Sequence, residues 1–125
     1  MLKTLKLVPV LLCGLAVVGC QSPNTSLYYW GNYSDAIYSY YGDETSLDQQ
    51  QENMLQIISQ AQKSGKQVGP GIYAHLGLIS LKQGMSSQAQ SYFQKEMTLY
   101  PESANFIQFL QRKNNSLKMQ KGEVK

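Results

Sequence analysis

The sequence contains few of the residues that perform chemistry. Its 125 residues include two cysteines and one histidine, His75. One histidine cannot form a histidine cluster for a metal, and neither cysteine is expected to remain a free thiol that could form a dyad with it. We expect His75 on the solvent side of its helix in a structural or neutral role. No G-x-S-x-G motif and no glycine-rich phosphate loop occurs. The sequence therefore predicts no enzyme and no metal site.

Charge of either sign is also scarce, since Asp, Glu, Lys and Arg together make up 15% of the residues. The net charge of +3 falls to +1 when Lys3 and Lys6, which precede the first apolar run, are removed. So weak a charge does not favour a nucleic-acid partner. The acidic pairs 43–44 and 48 with 52 lack the apolar neighbours that would raise a carboxyl pKa for acid–base catalysis.

No apolar run before the polar part of the chain is long enough to span a bilayer. Lys3 and Lys6 precede an apolar stretch over residues 7–18, which ends in small or aliphatic residues before Cys20. This order of segments is typical of a secretory signal peptide, here residues 1–19. The weaker alternative is an uncleaved membrane anchor.

The tetrapeptide Val17-Val18-Gly19-Cys20 resembles the lipobox of bacterial lipoproteins. The resemblance implies that Cys20 carries a covalent lipid and becomes the mature N-terminus, followed by a flexible tether over residues 20–26. More than one acyl chain is needed for stable anchoring. Gln21 stands where an inner-membrane retention signal would place Asp, which implies an outer-membrane protein, most simply facing the periplasm. Cys13 leaves with the signal, so the mature chain keeps no free thiol and we expect no cofactor beyond the lipid on Cys20.

Aromatic residues are concentrated in residues 27–41, which hold six of the nine tyrosines and the only tryptophan. Several of them recur at the three- and four-residue spacing of a helix face, although a strand would also suit part of the stretch. We expect this face to be core, with a carbohydrate-stacking surface as the alternative and with Tyr28 and Tyr29 the most exposed. The predicted face comprises Trp30, Tyr33, Ile37 and Tyr40 or Tyr41.

Four further helices are predicted from apolar spacing and capping residues. The second begins at Thr45 or Ser46 and ends at Gly65, with residues 49–51 as a solvated glutamine face. The third covers about 72–82, and the fourth runs from Ser86 or Ser87 to about residue 99. A fifth follows Ser103, and the polar residues after 112 are expected to fray. The apolar stripe of the second helix comprises Leu47, Met54, Ile57, Ile58 and Ala61.

The third and fourth helices resemble one tetratricopeptide repeat. The matching residues are Tyr73, Leu76, Gly77, Ala89, Phe93 and Pro101. Small residues at 77 and 89 would let the two helices approach closely, and Leu76 and Phe93 would fill the seam. Ser80 replaces the usual tyrosine, and Glu96 stands where a small residue is expected. With the preceding helices as a degenerate unit, the chain is predicted to form an all-α, tetratricopeptide-like stack of about five helices over residues 27–112, followed by a polar flexible tail, 113–125.

A binding groove is implied by the same resemblance, because the first helix of each tetratricopeptide hairpin lines a concave face. The alternative is that the C-terminal helix buries Leu78 and Leu81. Matching positions along the first and third helices gives the predicted partner-binding residues Ala74, Leu78, Leu81, Lys82, Asp35 and Tyr38.

Residues 27–33 and 99–103, with the lipobox, resemble a family of short Gram-negative lipoproteins of unknown function. Its members are typically encoded beside a lipoprotein similar to the curli secretion channel and a further small lipoprotein. The resemblance implies an assembly module for an outer-membrane complex, with envelope proteins as partners. Two alternatives are a pilotin-like or cell-wall-synthase-activating lipoprotein and a surface-exposed ligand binder that uses Tyr28 and Tyr29.

Overall fold

The fold is all-α, as predicted, and five helices occur in the part of the chain that the structure describes. A computed structural model describes residues 26–42 and 45–123. A 3-10 turn, Pro101–Ser103, joins the last two helices. The helices are α1 (Tyr33–Gly42), α2 (Leu47–Lys63), α3 (Ile72–Lys82), α4 (Ser86–Leu99) and α5 (Ala104–Glu123).

The helix ends follow the capping residues that the sequence indicates. Ser46 caps α2, and its side-chain oxygen accepts a hydrogen bond from the Gln49 N–H at 3.2 Å. Gly65 and Gly84, which follow α2 and α3, adopt φ angles of +64° and +80°, a backbone region that glycine enters without steric cost. The predicted starts and stops of these two helices are confirmed.

A short parallel strand pair, which the sequence did not predict, precedes α1 and α3. β1 (Tyr28–Tyr29) pairs with β2 (Gln67–Val68), so that Tyr28 lies opposite Gln67. The aromatic stretch is therefore divided, and Trp30 lies outside α1, where its ring stacks on that of Tyr33 at 5.8 Å. The prediction that Tyr28 and Tyr29 are the most exposed is wrong, because strand pairing holds both half-buried. The most exposed tyrosines of the described chain are instead Tyr38 and Tyr41.

The core consists of two clusters that share α3. The first joins α1, α2 and α3, and the second joins α3, α4 and α5. Eight of the eleven residues of α3 are buried, as expected for a helix with neighbours on several sides. Leu76 and Phe93 are both fully buried, as predicted, but they lie in different clusters.

The α3–α4 hairpin is closely packed because residue 77 has no side chain. A methyl group placed on Gly77 would lie 2.6 Å from Cδ1 of Phe93, closer than packed carbon atoms approach. Ala89 is fully buried in the same cluster. The predicted role of these two small residues is confirmed.

Two predictions about polar segments are wrong. Residues 49–51 are not a uniformly solvated face, because Gln50 is buried and donates a hydrogen bond to the Thr45 carbonyl at 2.8 Å. The tail does not fray after residue 112, because α5 continues to Glu123. Helix-favouring Lys, Gln and Leu residues extend it, and Gln111 and Lys118 bond to Gln90 and Ser86 of α4.

Candidate functional site

An open groove lies between α1, α3 and α5. Its cavity volume is about 550 Å³. Leu78 and Leu81 of α3 and Leu110 of α5, which are partly buried, form its floor. Leu117 of α5, which is half-exposed, also lines it. The predicted alternative, burial of Leu78 and Leu81 by the C-terminal helix, holds in part for Leu81: both leucines are partly exposed, and Leu81 packs against the core cluster that includes Ile107 of α5. The remaining lining residues are Tyr40, Tyr41, Lys82, Lys113, Asn114, Lys118 and Lys121.

The charged residues that line this groove are all lysines. Lys82 comes from α3, and Lys113, Lys118 and Lys121 come from α5. The Lys82 amine lies 3.9 Å from the centre of the Tyr40 ring, a cation–π contact that holds it at the α1 side. No described Asp or Glu lines the groove. The groove is thus apolar at its floor and positive at its rim.

A smaller pocket of about 180 Å³ adjoins the groove and shares Tyr40, Tyr41 and Leu78 with it. Tyr33, Ile37 and Tyr40, at the spacing that the sequence predicted for one helix face, line one side of this pocket. Its volume is below the range of about 300–1,000 Å³ typical of small-molecule sites. The pocket is therefore an extension of the groove rather than a separate ligand site.

His75 lines that pocket and is buried, so its predicted position on the solvent side of the helix is wrong. Its side chain is buried between the rings of Tyr33 and Tyr40, at 5.8 and 4.7 Å between ring centres. Its Nε2 atom has no hydrogen-bond partner among the described residues. Burial, with the nearby charge of Lys82 as a lesser cause, lowers the pKa of His75 from 6.5 to about 4. The imidazole is neutral at physiological pH.

Glu96 has a structural role that the sequence did not reveal. Its two carboxyl oxygens accept hydrogen bonds from the N–H groups of Gly71 and Ala74, at 2.6 and 3.3 Å. Gly71 is the N-cap residue of α3, and Ala74 lies in its first turn. Gly71 has no side chain that could accept these hydrogen bonds, so Glu96 accepts them instead. Burial raises the pKa of the Glu96 carboxyl, although the backbone hydrogen bonds oppose this effect. The sequence holds one hint of this role. An acidic residue stands at position 96, where the repeat pattern expects a small residue, and Gly71, which begins α3, cannot cap the helix with a side chain.

The predicted partner-binding residues divide into three groups. Leu78, Leu81 and Lys82 line the groove, whereas Ala74 is buried in the core and reaches only the smaller pocket. Asp35 and Tyr38 line neither cavity. They lie on the opposite side of α1 because Ala36, Tyr33 and Tyr40 set which side faces the protein.

The α5 contribution to the groove was missed. Leu110, Leu117 and Lys121 recur at three- to four-residue multiples, so one face of α5 lines the groove throughout. The spacing is present in the sequence, but the polar composition after residue 112 predicts fraying, whereas the helix continues to Glu123.

Metal-binding clusters and membrane-spanning helices are two further features that the described residues could contain. No three His, Cys, Asp or Glu residues within 26–42 and 45–123 are grouped to hold a metal ion. In the same ranges, no helix has the length and apolar content needed to cross a membrane. The predicted lipidation site, Cys20, lies outside the described residues.

The chain belongs to the family described as Domain of unknown function (DUF4810), whose pattern matches residues 27–110. The match covers the strand pair, α1 to α4 and the first part of α5. Lys113, Lys118 and Lys121 follow it, so the family match does not include these three groove lysines. No curated protein and no solved structure matches the chain.

Proposed function

We propose that this protein is an outer-membrane-anchored lipoprotein that helps to assemble an envelope complex by binding another protein in the groove between α1, α3 and α5. The observation that carries the proposal is the groove itself. It brings leucine side chains of α3 and α5 together in a cavity of about 550 Å³, which is within the range of about 300–1,000 Å³ typical of binding pockets.

The arrangement of the helices supports binding of a protein segment. The first helices of the two hairpins, α1 and α3, contribute to one surface with α5 beside them. Tetratricopeptide repeats, which the sequence of α3 and α4 resembles, are expected to present their concave face in this way. A groove bounded by helices accommodates a peptide along its length.

The anchor is supported by the sequence alone, through the lipobox at Cys20. We predict that Cys20→Ser leaves the protein in the soluble periplasmic fraction or as an unprocessed precursor, because the substituted chain has no thiol to acylate. Membrane fractionation on a density gradient, with metabolic labelling by a palmitate analogue, measures both effects. Label retained by the Cys20→Ser variant would contradict the assignment, and Cys13→Ser serves as the control.

A lipoprotein similar to the curli secretion channel is the proposed partner, on the basis of the family resemblance. A photo-crosslinking amino acid placed in cells at Lys82 or Lys113 tests this, because the two positions lie on opposite walls of the groove. The control position is Gln56, which is exposed on α2 away from the groove.

The expected result is one shared protein adduct from both groove positions and none of that mass from Gln56. Mass spectrometry of the adduct identifies the partner. If neither groove position yields a specific adduct, or if Gln56 gives the same one, the assembly role of the groove is wrong. An adduct with a secretin or a cell-wall synthase would replace the channel-like partner with the pilotin-like alternative.

A further inference from the structure

The proposed function leaves the chemistry of the partner open, and the groove itself specifies it. We infer that the groove binds an acidic amphipathic protein segment of about three helical turns, with apolar side chains on the leucine floor and carboxylates at the lysine rim. This inference rests on the proposed function and narrows it to one class of partner.

Charge complementarity is the first argument. Four of the eight described Lys and Arg residues line this one groove, and none of the described acids does so. Two of the lysines have partners of their own, since Lys82 lies over the Tyr40 ring and Lys118 donates to Ser86 Oγ at 2.8 Å. Lys113 and Lys121 are exposed, line the groove and make no hydrogen bond or salt bridge with the described residues. A partner that brings carboxylates is attracted to these charges, whereas a basic partner is repelled.

The floor provides the second argument, because it excludes a uniformly acidic chain. Leu78, Leu81, Leu110 and Leu117 need apolar side chains opposite them to gain from burial, at about 25 cal/mol per Å² of apolar surface. The wall runs from Leu110 to Lys121 of α5, about 16 Å along the helix axis. A segment of about 11 helical residues spans this length and presents apolar residues on one side only.

The shape of the site favours a protein segment over an anionic membrane surface. Leu78, Leu81 and Leu110 are partly buried, whereas the four groove lysines are exposed, so a flat layer of lipid head groups would reach the lysines without covering these leucines. A helix fills the floor and reaches the rim together. Binding to anionic vesicles is therefore treated as a competing outcome of the experiment.

The experiment uses the full chain in detergent and three synthetic peptides of about 14 residues. All three carry leucines at the same helical spacing, and the other positions are Glu, Lys or Gln. Fluorescence anisotropy measures binding at low and raised salt. We expect the Glu peptide to bind at least about tenfold more tightly than the Lys peptide, with an affinity that falls as salt screens the charges.

The variants place the interaction in the groove. Lys113→Glu/Lys121→Glu should lower the affinity for the Glu peptide about tenfold, and Lys113→Gln/Lys121→Gln should have an intermediate effect. Lys63→Glu/Lys66→Glu is the matched control, because both lysines are exposed, neither lines the groove, and Lys63, like Lys121, lies in the last turn of its helix. Circular dichroism confirms that all variants keep their helix content.

Three results would overturn the inference. The first is equal affinity for the Glu and Lys peptides, or no binding of either. The second is an equal loss of affinity in the control variant. The third is displacement of the Glu peptide by phosphatidylglycerol vesicles that bind through the same lysines. None of these contradicts the crosslinking result, so a groove that binds a neutral partner would leave the proposed function intact and this inference wrong.

Discussion

At the residue scale, Glu96 and His75 are two buried ionisable groups whose effects on the stability of the fold are opposite. Glu96 accepts hydrogen bonds at the start of α3, where the helix dipole favours a negative charge. His75 lies between two tyrosine rings and has an unpaired Nε2 atom. Glu96 links α4 to the start of α3, whereas burial of His75 adds a cost to folding that depends on pH.

Replacing Glu96 is predicted to loosen the start of α3. Glu96→Ala leaves the N–H groups of Gly71 and Ala74 without their partner and opens a cavity, at a cost of about 2–4 kcal/mol in the free energy of unfolding. Urea denaturation measures the loss. Glu102→Ala, at an exposed position, is the control, and similar losses for the two variants would contradict the capping role.

His75 is predicted to make the protein less stable in mild acid. Its folded-state pKa of about 4 lies below the unfolded value of 6.5, so the unfolded chain takes up the proton first as the pH falls. Above about pH 6.5, His75 does not lower the free energy of unfolding. As the pH falls from there towards about pH 4, the free energy of unfolding declines by at most about 3 kcal/mol. The raised pKa of Glu96 acts the other way, since its protonation favours the folded state.

The comparison that isolates His75 is His75→Phe, which retains Glu96 and an aromatic ring. Urea denaturation at several pH values should give a smaller decline for this variant than for the wild type. Equal declines would show that His75 does not cause the acid sensitivity.

At the element scale, the α3–α4 hairpin depends on close contact between its helices. Residue 77 has no room for a side chain beside Phe93, and the hairpin supports both core clusters because α3 belongs to each. A change in the spacing of these two helices therefore affects the whole core.

Gly77→Ala is predicted to destabilise the protein by about 1–3 kcal/mol, because the added methyl group overpacks the contact with Phe93. Gly122→Ala is the matched control, since nothing lies within 4 Å of the added group and alanine favours helix. Thermal unfolding should show a lower midpoint for the first variant and an unchanged or higher one for the second. A tolerated Gly77→Ala substitution would contradict the close packing.

Elements with local signals could be predicted from the sequence. Ser46, Gly65 and Gly84 mark helix ends through their own side chains or backbone freedom, so α2 and α3 were placed correctly. The strand pair could not be predicted, because it joins two-residue segments far apart in the chain and has no period of its own. The Glu96 cap and the burial of His75 are likewise tertiary effects. The groove residues of α3 could be predicted by matching positions of the repeat. Those of α5 could not, because most of them lie beyond residue 112, where the polar composition predicts fraying.

At the scale of the whole molecule, α5 contributes to the core and to the groove through different parts of its length. Its first half contributes Ile107 to the core, whereas Leu117 and Met119 in its second half are half or more exposed. The second half supplies two of the four groove lysines, Lys118 and Lys121, and Lys113 comes immediately before it.

Removal of residues 113–125 is predicted to separate the two properties. The truncated chain should lose about 1 kcal/mol or less of stability, because the Lys118–Ser86 hydrogen bond is an exposed contact. It should bind the Glu peptide at least about tenfold more weakly, since three groove lysines are absent. Anisotropy and urea denaturation of the same preparation measure both, and full binding by the truncated chain would place the site elsewhere.

The strand pair has a mechanical consequence. The chain enters the domain through β1, so tension applied from the N-terminal side reaches the two-residue ladder before any helix. Along the strand axis this load shears the ladder, and bulky rings resist it, because Tyr28 contacts Tyr100 and Trp30 lies against Gly69. The Tyr100 hydroxyl, which donates to the Val68 carbonyl, ties β2 to the end of α4. A pulling force on β1 is therefore shared between the α4 side of the fold, through Tyr100, and α1, which follows β1 directly in the chain.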